Sequence, residues 1–381
     1  MKLKNDIVYK KYDDKIIIVD TSSNGNIFSL SGTAYILWDM LIEDDVVLEK
    51  AIENCCRLFP SVEASELAND VHSFVDKMEN YGIIECATNV LFDEPYIGYK
   101  ELFKILNEMN NINYAIIKGE ALSYLAYNQV SQRKSNDIDI LVSRDSLSSL
   151  KKILYRNGFA TKNISREDEI LILSGSHQIT TWKKRISNNS YLKIDINFDV
   201  FWGEYSGTRM NINNFLDETI KIDLYGFSVK TLNPLNTMIQ LILHHYKEMN
   251  SIYHLATHNS INVDMFKDIY YLWKNNIKSI TLEALYDISV EYDIMPYVYY
   301  ILFYVNQIYS DSELNKYVLK FQTDEGESLL NTYGLAKDEK KLWKVDFKTR
   351  LQTDDLYKLI QPDLTLYDRE KLKRNIHIFM E

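Results

Sequence analysis

The hydrophobic positions change period several times along the chain. Residues 6–30 read as short strands. Ile16-Ile17-Ile18-Val19 is a β-branched run, Ser22-Ser23-Asn24-Gly25-Asn26 is a turn cluster with the Asn-Gly hairpin signal, and Asn26-Ile27-Phe28-Ser29-Leu30 is the return strand. The period then becomes helical. Ser31 stands as N-cap to a helix with Tyr35, Leu37, Trp38 and Leu41. A second helix is predicted from Asp45 to Phe59, with Val47, Leu48, Ala51, Ile52 and Cys55 on one face. A third spans 63–80 and carries Leu67, Val71, Phe74, Val75 and Met78, and Tyr81-Gly82 closes it as a glycine C-cap. Strands followed by three helices describe a small winged-helix-like unit over residues 1–86.

Residues 87–98 read as a linker. Beyond a helix with Leu102, Ile105 and Leu106, Tyr114-Ala115-Ile116-Ile117 is a buried-strand pattern, and Lys118-Gly119 turns into a helix from Glu120 to Tyr127. Ile138 to Val142 is another strand, and Asp145 to Asn157 is a helix ended by Gly158. Thr180–Ile186 and Tyr191–Val200 pair as antiparallel strands across Ser187-Asn188-Asn189-Ser190. Phe227–Lys230 adds a strand. From Pro234 onward the spacing is helical, with Leu235, Met238, Ile239, Ile242 and His245 leading, then 263–275, 282–292 and 294–309. The tail, 311–381, carries short helical patterns.

Composition narrows the class. The 381 residues are 46% hydrophobic and 25% charged, enough chain for two or three packed domains without disulfides. The net charge of −11 argues against nucleic acid as a partner. That charge is uneven: residues 1–86 hold 8 Lys/Arg against 16 Asp/Glu, while residues 99–230 hold 18 against 15. Two modules with different partners follow from this asymmetry. Cys55, Cys56 and Cys86 form no secreted disulfide framework. The N-terminus lacks an apolar signal core and no run is long enough to span a bilayer, so a cytoplasmic protein without membrane contact is expected.

The sharpest chemical feature is Asn136-Asp137-Ile138-Asp139-Ile140-Leu141-Val142. Period 2 sends Asp137 and Asp139 to one face of a strand. Paired carboxylates suit a hard cation such as Mg²⁺, which keeps substrate phosphates as further ligands. Asp311-Ser312-Glu313 has the same spacing, and there the acid more simply begins a helix. Strand–Lys118-Gly119–helix offers a glycine turn and a helix N-terminus where phosphate can sit. Lys193-Ile194-Asp195-Ile196 puts a third acid in an apolar strand, where burial is costly unless it is paired or metal-bound. The alternative for Asp195 is an outward position on an edge strand. Lys183-Lys184-Arg185 reads as a solvated strand face. His177 is a lone histidine with a structural reading, and His244-His245 and His254-x-x-x-His258 read as helix histidines, since no Cys or acidic motif accompanies them.

Residues about 99–275 resemble nucleotidyltransferases of the polymerase-beta-type superfamily, in the minimal-like bacterial branch with the pattern K-G-x-A-L, R-x-x-x-D-h-D-h-h-V and h-[ED]-h-H-W. The matching blocks are Lys118-Gly119-Glu120-Ala121-Leu122, Arg133 through Val142, and Ile194-Asp195-Ile196-Asn197-Phe198. The third departs from the pattern: Asn197 and Phe198 stand where His and Trp are usual. The superfamily's common Gly-Ser pair is also replaced, since Glu120 follows Gly119. The resemblance implies that Asp137, Asp139 and Asp195 hold Mg²⁺ and carry catalysis. Gly119 lets backbone approach a triphosphate, and Lys118, Arg133 and Ser135 join in nucleotide binding. The implied reaction is transfer of NMP from an NTP, with ATP the first choice.

Residues 1–86 resemble the PqqD-like peptide-binding domain, the RiPP recognition element, through Asn26-Ile27-Phe28-Ser29-Leu30-Ser31 entering a helix with Ile36-Leu37-Trp38, and through Met78-Glu79-Asn80-Tyr81-Gly82-Ile83-Ile84. This implies that the leader of a ribosomally made precursor peptide adds as a strand beside Asn26, Ile27, Phe28 and Leu30, against a helix carrying Val71, Phe74 and Met78. The acidic balance predicts a leader with basic residues. The chain is therefore expected to be α+β: a winged-helix-like PqqD-type domain over 1–86, a nucleotidyltransferase α/β core with a mixed sheet over 99–232, and a helical substrate-covering region over 233–381. The expected function is nucleotidylation of a precursor peptide. The rivals are a nucleotidyltransferase acting on a small molecule or protein, a non-catalytic leader carrier, and a DxD glycosyltransferase.

Overall fold

The computed structural model describes residues 3–22, 25–43, 48–84, 88–89, 95–133, 135–187, 190–201, 210–258 and 261–379. Asn24 of the first turn, Asp45–Val47 of the second helix, Cys86, most of the expected linker and Asn188-Asn189 lie outside these residues.

Strands β1 (Ile7–Lys11), β2 (Lys15–Asp20) and β3 (Ile27–Ser31) form an antiparallel sheet in that order, with Ile16 opposite Leu30. Alternation turns Ile16, Ile18 and Leu30 inward. Helices α1 (Thr33–Trp38), α2 (Leu48–Leu58) and α3 (Ala64–Asn80) cover that face. Ser31 is the last residue of β3 rather than an N-cap. Gly32 takes the cap with φ of 58°, a left-handed backbone that favours glycine. Leu67, Val71, Phe74, Val75 and Met78 of α3 are buried in this domain's own core beside Leu37 and Trp38. Each such side chain contributes about 1.5–3 kcal/mol.

The second sheet is mixed. After β4 (Thr88–Asn89) come α4 (Pro95–Glu108), β5 (Tyr114–Ile117), α5 (Gly119–Tyr127), β6 (Ile138–Val142), α6 (Leu147–Arg156), β7 (Ala160–Thr161), α7 (Arg166–Gly175), β8 (Trp182–Ser187), β9 (Ser190–Asn197), α8 (Ile212–Asp217), β10 (Ile220–Leu224) and β11 (Phe227–Thr231). The strand order is β10-β11-β5-β6-β9-β8-β7, with β4 alongside the start of β9. β6 lies antiparallel to β5 and parallel to β9. All five residues of β6 are buried, as a central strand covered on both faces requires.

Pro234 opens α9 (Pro234–Asn250) at the first helical turn, where its missing N–H costs nothing. α10 (Ile252–Thr257), α11 (Val263–Asn275), α12 (Leu282–Glu291) and α13 (Met295–Tyr309) follow. They share one apolar core with α5 and α8. In the tail, α14 (Ser312–Phe321) begins as expected from Asp311, whose Oδ1 accepts the Glu313 N–H at 2.9 Å. Four further helices follow, the last being Leu366–Phe379. Among the described residues no helix is long and apolar enough to cross a membrane.

The two sheets are joined through α3. The Thr161 N–H donates to Asn69 Oδ1 at 3.3 Å, His72 Nε2 lies 3.2 Å from the Gly158 carbonyl oxygen, and Arg185 on β8 pairs with Glu79.

Candidate active site

Strand register assembles the site. β6 and β9 run parallel with Asp139 directly opposite Asp195, and Asp137 precedes Asp139 by two residues on the same face. Three carboxylates therefore lie on one face at one end of the central strands. Asp139 is buried, and its Oδ1 accepts from Lys118 Nζ at 2.6 Å and from Asn197 Nδ2 at 3.0 Å. Asn197 thus supplies a donor from the position where the family pattern has histidine. Phe198 lies in the core under the Arg144 guanidinium, 4.5 Å from its ring centre.

The other two acids are left in a charge-rich place. Burial, then the Asp139 charge, pushes Asp137 up to about 6. Burial, then Asp137 and Asp139, pushes Asp195 up to about 7, and its Oδ1 is buried with no hydrogen-bond partner. The orphaned Asp195 acceptor beside Asp137 and Asp139 is hard-oxygen chemistry of the kind Mg²⁺ takes, while the ligand atoms that gather within 4.8 Å of one another among the described residues are those of His244, His245 and Glu248.

The turn ahead of α5 is tight. Lys118 has φ of 55° and Gly119 φ of 42°. A Cβ on Gly119 would meet Ser135 Oγ at 3.1 Å. Ser135 Oγ in turn donates to the Asp137 carbonyl at 2.7 Å and so braces the carboxylate strand. Burial alone would lower the Lys118 ammonium, but the adjacent Asp139 carboxylate outweighs it and holds it raised. Glu120, standing where serine is common, is buried and accepts the Ser131 N–H at 2.6 Å. Arg133 Nε lies 2.6 Å from Asp268 on α11, and Tyr127 donates to the same carboxylate at 2.6 Å. Arg133 is thus anchored to the helical region.

A cavity of about 880 Å³ opens over the carboxylates. Asp137 and Asp195 face it, with His177 and Lys247 beside them. Lys247 on α9 is buried and donates to His177 Nε2 at 3.1 Å. Burial lowers it to about 8. Sequence reading missed Lys247, because a single lysine within an apolar helix carries no motif. Lys183-Lys184-Arg185 is no solvated face: Arg185 is buried against Glu79, and Lys184 reaches Glu101 at 3.2 Å. His244 and His245 do have an acid, Glu248, one turn on, at 3.2 and 3.4 Å.

The peptide-site residues separate into two groups. On β3, Asn26 and Ile27 are exposed and Phe28 is half-buried, stacked on Tyr81 with ring centres 5.0 Å apart. β3 ends the three-strand order, so its outer edge can take an added strand. Leu30, Val71, Phe74 and Met78 are buried in the domain core.

The mixed sheet sets Asp139 in register with Asp195, with Asp137 just ahead of β6. Residues 97–310 match the family model of an uncharacterised nucleotidyltransferase, more than half the chain, and the protein belongs to that family. Residues 15–84 match the model of coenzyme PQQ synthesis protein D, so the expected fusion is present. No curated protein matches the chain. Among solved structures, an antigenic nucleotidyltransferase-like protein from Paracoccidioides brasiliensis is similar at 17% identity, over 52% of this chain and 89% of that one, with a TM-score of 0.31. The lincosamide antibiotic adenylyltransferase LnuA, bound to lincomycin, is similar at 18% identity over 48% and 97%, with a TM-score of 0.27. At those TM-scores neither superposition supports a mechanistic comparison.

Proposed function

We propose that the protein transfers a nucleoside monophosphate, AMP from ATP in the first instance, to a hydroxyl side chain of a ribosomally made precursor peptide. The leader of that peptide would dock on the N-terminal domain along β3. The observation that carries the transferase reading is the register of Asp139 with Asp195, which leaves the Asp195 Oδ1 buried and unpartnered.

In the proposed step the acceptor oxygen attacks the α-phosphorus, the bond to the β-phosphate oxygen breaks, and pyrophosphate leaves. Asp195, facing the cavity, takes the hydroxyl proton. Lys118 and Asn197 fix the Asp139 carboxylate, and Lys247 faces the same cavity as a cation for phosphate. Mg²⁺ held by Asp137, Asp139 and Asp195 would supply Lewis-acid charge at the phosphates. Fusion of the two domains raises the effective concentration of the acceptor once the leader is bound.

The test is incubation of the protein with α-labelled NTP, Mg²⁺ and the short peptide encoded beside its gene. Label should move to the peptide with wild type and not with Asp137→Asn. Absence of transfer to any neighbouring peptide by the wild type would overturn the proposal.

A further inference from the structure

The helix α3 has two faces of different use. Leu67, Val71, Phe74 and Met78 recur at helical spacing and fill the N-terminal core. Asn69, Ser73, Asp76 and Asn80 recur at the same spacing on the opposite side and line the 880 Å³ cavity that holds Asp137 and Asp195. The cavity wall facing α3 carries Lys183 and Lys247 from the nucleotidyltransferase domain. The wall on α3 carries Asp70, Asp76 and Glu79, the last paired with Arg185, against a single Lys77. The two walls are fixed to each other by the Arg185–Glu79 pair and by the Asn69 and His72 hydrogen bonds.

From this we infer that α3 is one wall of the transfer cavity, and that its outer face holds the acceptor segment of the peptide, downstream of the leader. The inference rests on the reading of the site as a peptide nucleotidyltransferase and adds the path the peptide takes. Anionic phosphates belong beside Lys247 and the carboxylates. The acidic α3 wall is left for a neutral or cationic chain. The volume lies at the upper end of ligand pockets, about 300–1,000 Å³, which suits two substrates together better than one small ligand. β3 and α3 belong to one domain, so a leader added beside β3 reaches the cavity by crossing α3, at whose C-terminal end Tyr81 stacks on Phe28. The N-terminal domain then does more than concentrate substrate: it completes the active-site cavity.

The test places a photo-crosslinking benzoylphenylalanine at Ser73, which is exposed on the cavity face, in the full chain loaded with the neighbouring precursor peptide. Crosslinks should map to residues C-terminal to the leader. Ser73→Trp should leave the affinity for a leader-only peptide within about twofold while lowering kcat/KM for transfer by about tenfold or more. Crosslinks that are absent, or confined to the leader while it is bound, overturn the path, as does undiminished transfer by Ser73→Trp. Downstream crosslinks without any label transfer by the wild type would uphold the path and overturn the transferase reading. Label transfer without such crosslinks would do the reverse.

Discussion

Asp139 accepts from an ammonium and from a neutral amide on the same oxygen, and it is the member of the trio closed off from further partners on that side. Removing Lys118 leaves a buried carboxylate without its counter-charge, a change worth about 3–5 kcal/mol. Lys118→Met is therefore expected to lower the unfolding free energy by that order in a urea titration. Lys118→Met combined with Asp139→Asn should recover most of it, because the orphaned charge is gone as well. Asp195 predicts the opposite balance. Its carboxylate is opposed by burial and by Asp137 and Asp139, so Asp195→Asn relieves repulsion in the metal-free protein. Its melting temperature is expected to rise by a few degrees, at about 2–4 °C per kcal/mol for larger domains. On the proposed reading, in which Asp195 is both proton acceptor and metal ligand, transfer should fall by about a hundredfold or more. A variant both less stable and fully active would contradict each half of this account.

At the scale of elements, the decisive contact is α3 against β7 and β8. Glu79 and Arg185 are both largely buried where the two domains meet. A double-mutant cycle of Glu79→Gln and Arg185→Met is expected to show coupling of about 1–3 kcal/mol, each single change costing more than the pair. This interface explains what the sequence could and could not tell. The acids of β6 and β9 were legible, because period 2 and an apolar setting are local signals and parallel pairing then brings them together. The α3 helix was equally legible, yet Val71, Phe74 and Met78 face inward, since periodicity identifies an apolar stripe without saying what it meets. Lys183, Lys184 and Arg185 read as solvated for the same reason: their partners, Glu101 and Glu79, come from distant elements. The α7 helix passed unrecognised for want of an apolar stripe, with Ile172 its one fully buried residue. β10 went unread although Ile220, Ile222 and Leu224 alternate with polar residues before the Tyr225-Gly226 turn.

The whole molecule carries two opposed sets of buried titrating groups, and these set its response to pH. His72 is held down to about 4, first by burial, with Arg185, Lys183 and Lys184 adding to it. Burial likewise lowers His177, His244 and His254. In the unfolded chain these rings take up protons below about pH 6.5, so between about 4 and 6.5 the unfolded state binds more protons and stability rises with pH. His72 alone accounts for up to about 3 kcal/mol of this at 1.36 kcal/mol per pH unit. Asp137 and Asp195 act in the other sense. Their folded-state values, about 6 and about 7, lie above the unfolded ones, so the folded state holds the extra protons and stability falls as pH rises from about 4 to 7. Without divalent ions the two slopes oppose each other, but four histidines against two carboxylates leave melting temperature rising with pH from about 5 to 6.5, less steeply than the histidines alone would give. On the proposed reading, excess Mg²⁺ binds the ionised carboxylates and should remove only their contribution. The melting temperature at pH 7.5 should then rise with Mg²⁺, the gain should vanish near pH 4.5, and a steeper increase with pH should appear between them. In Asp137→Asn/Asp195→Asn that increase should be present with or without Mg²⁺, and in His72→Gln it should be shallower. A wild-type profile that ignores Mg²⁺ across this range would show that Asp137, Asp139 and Asp195 hold no divalent cation.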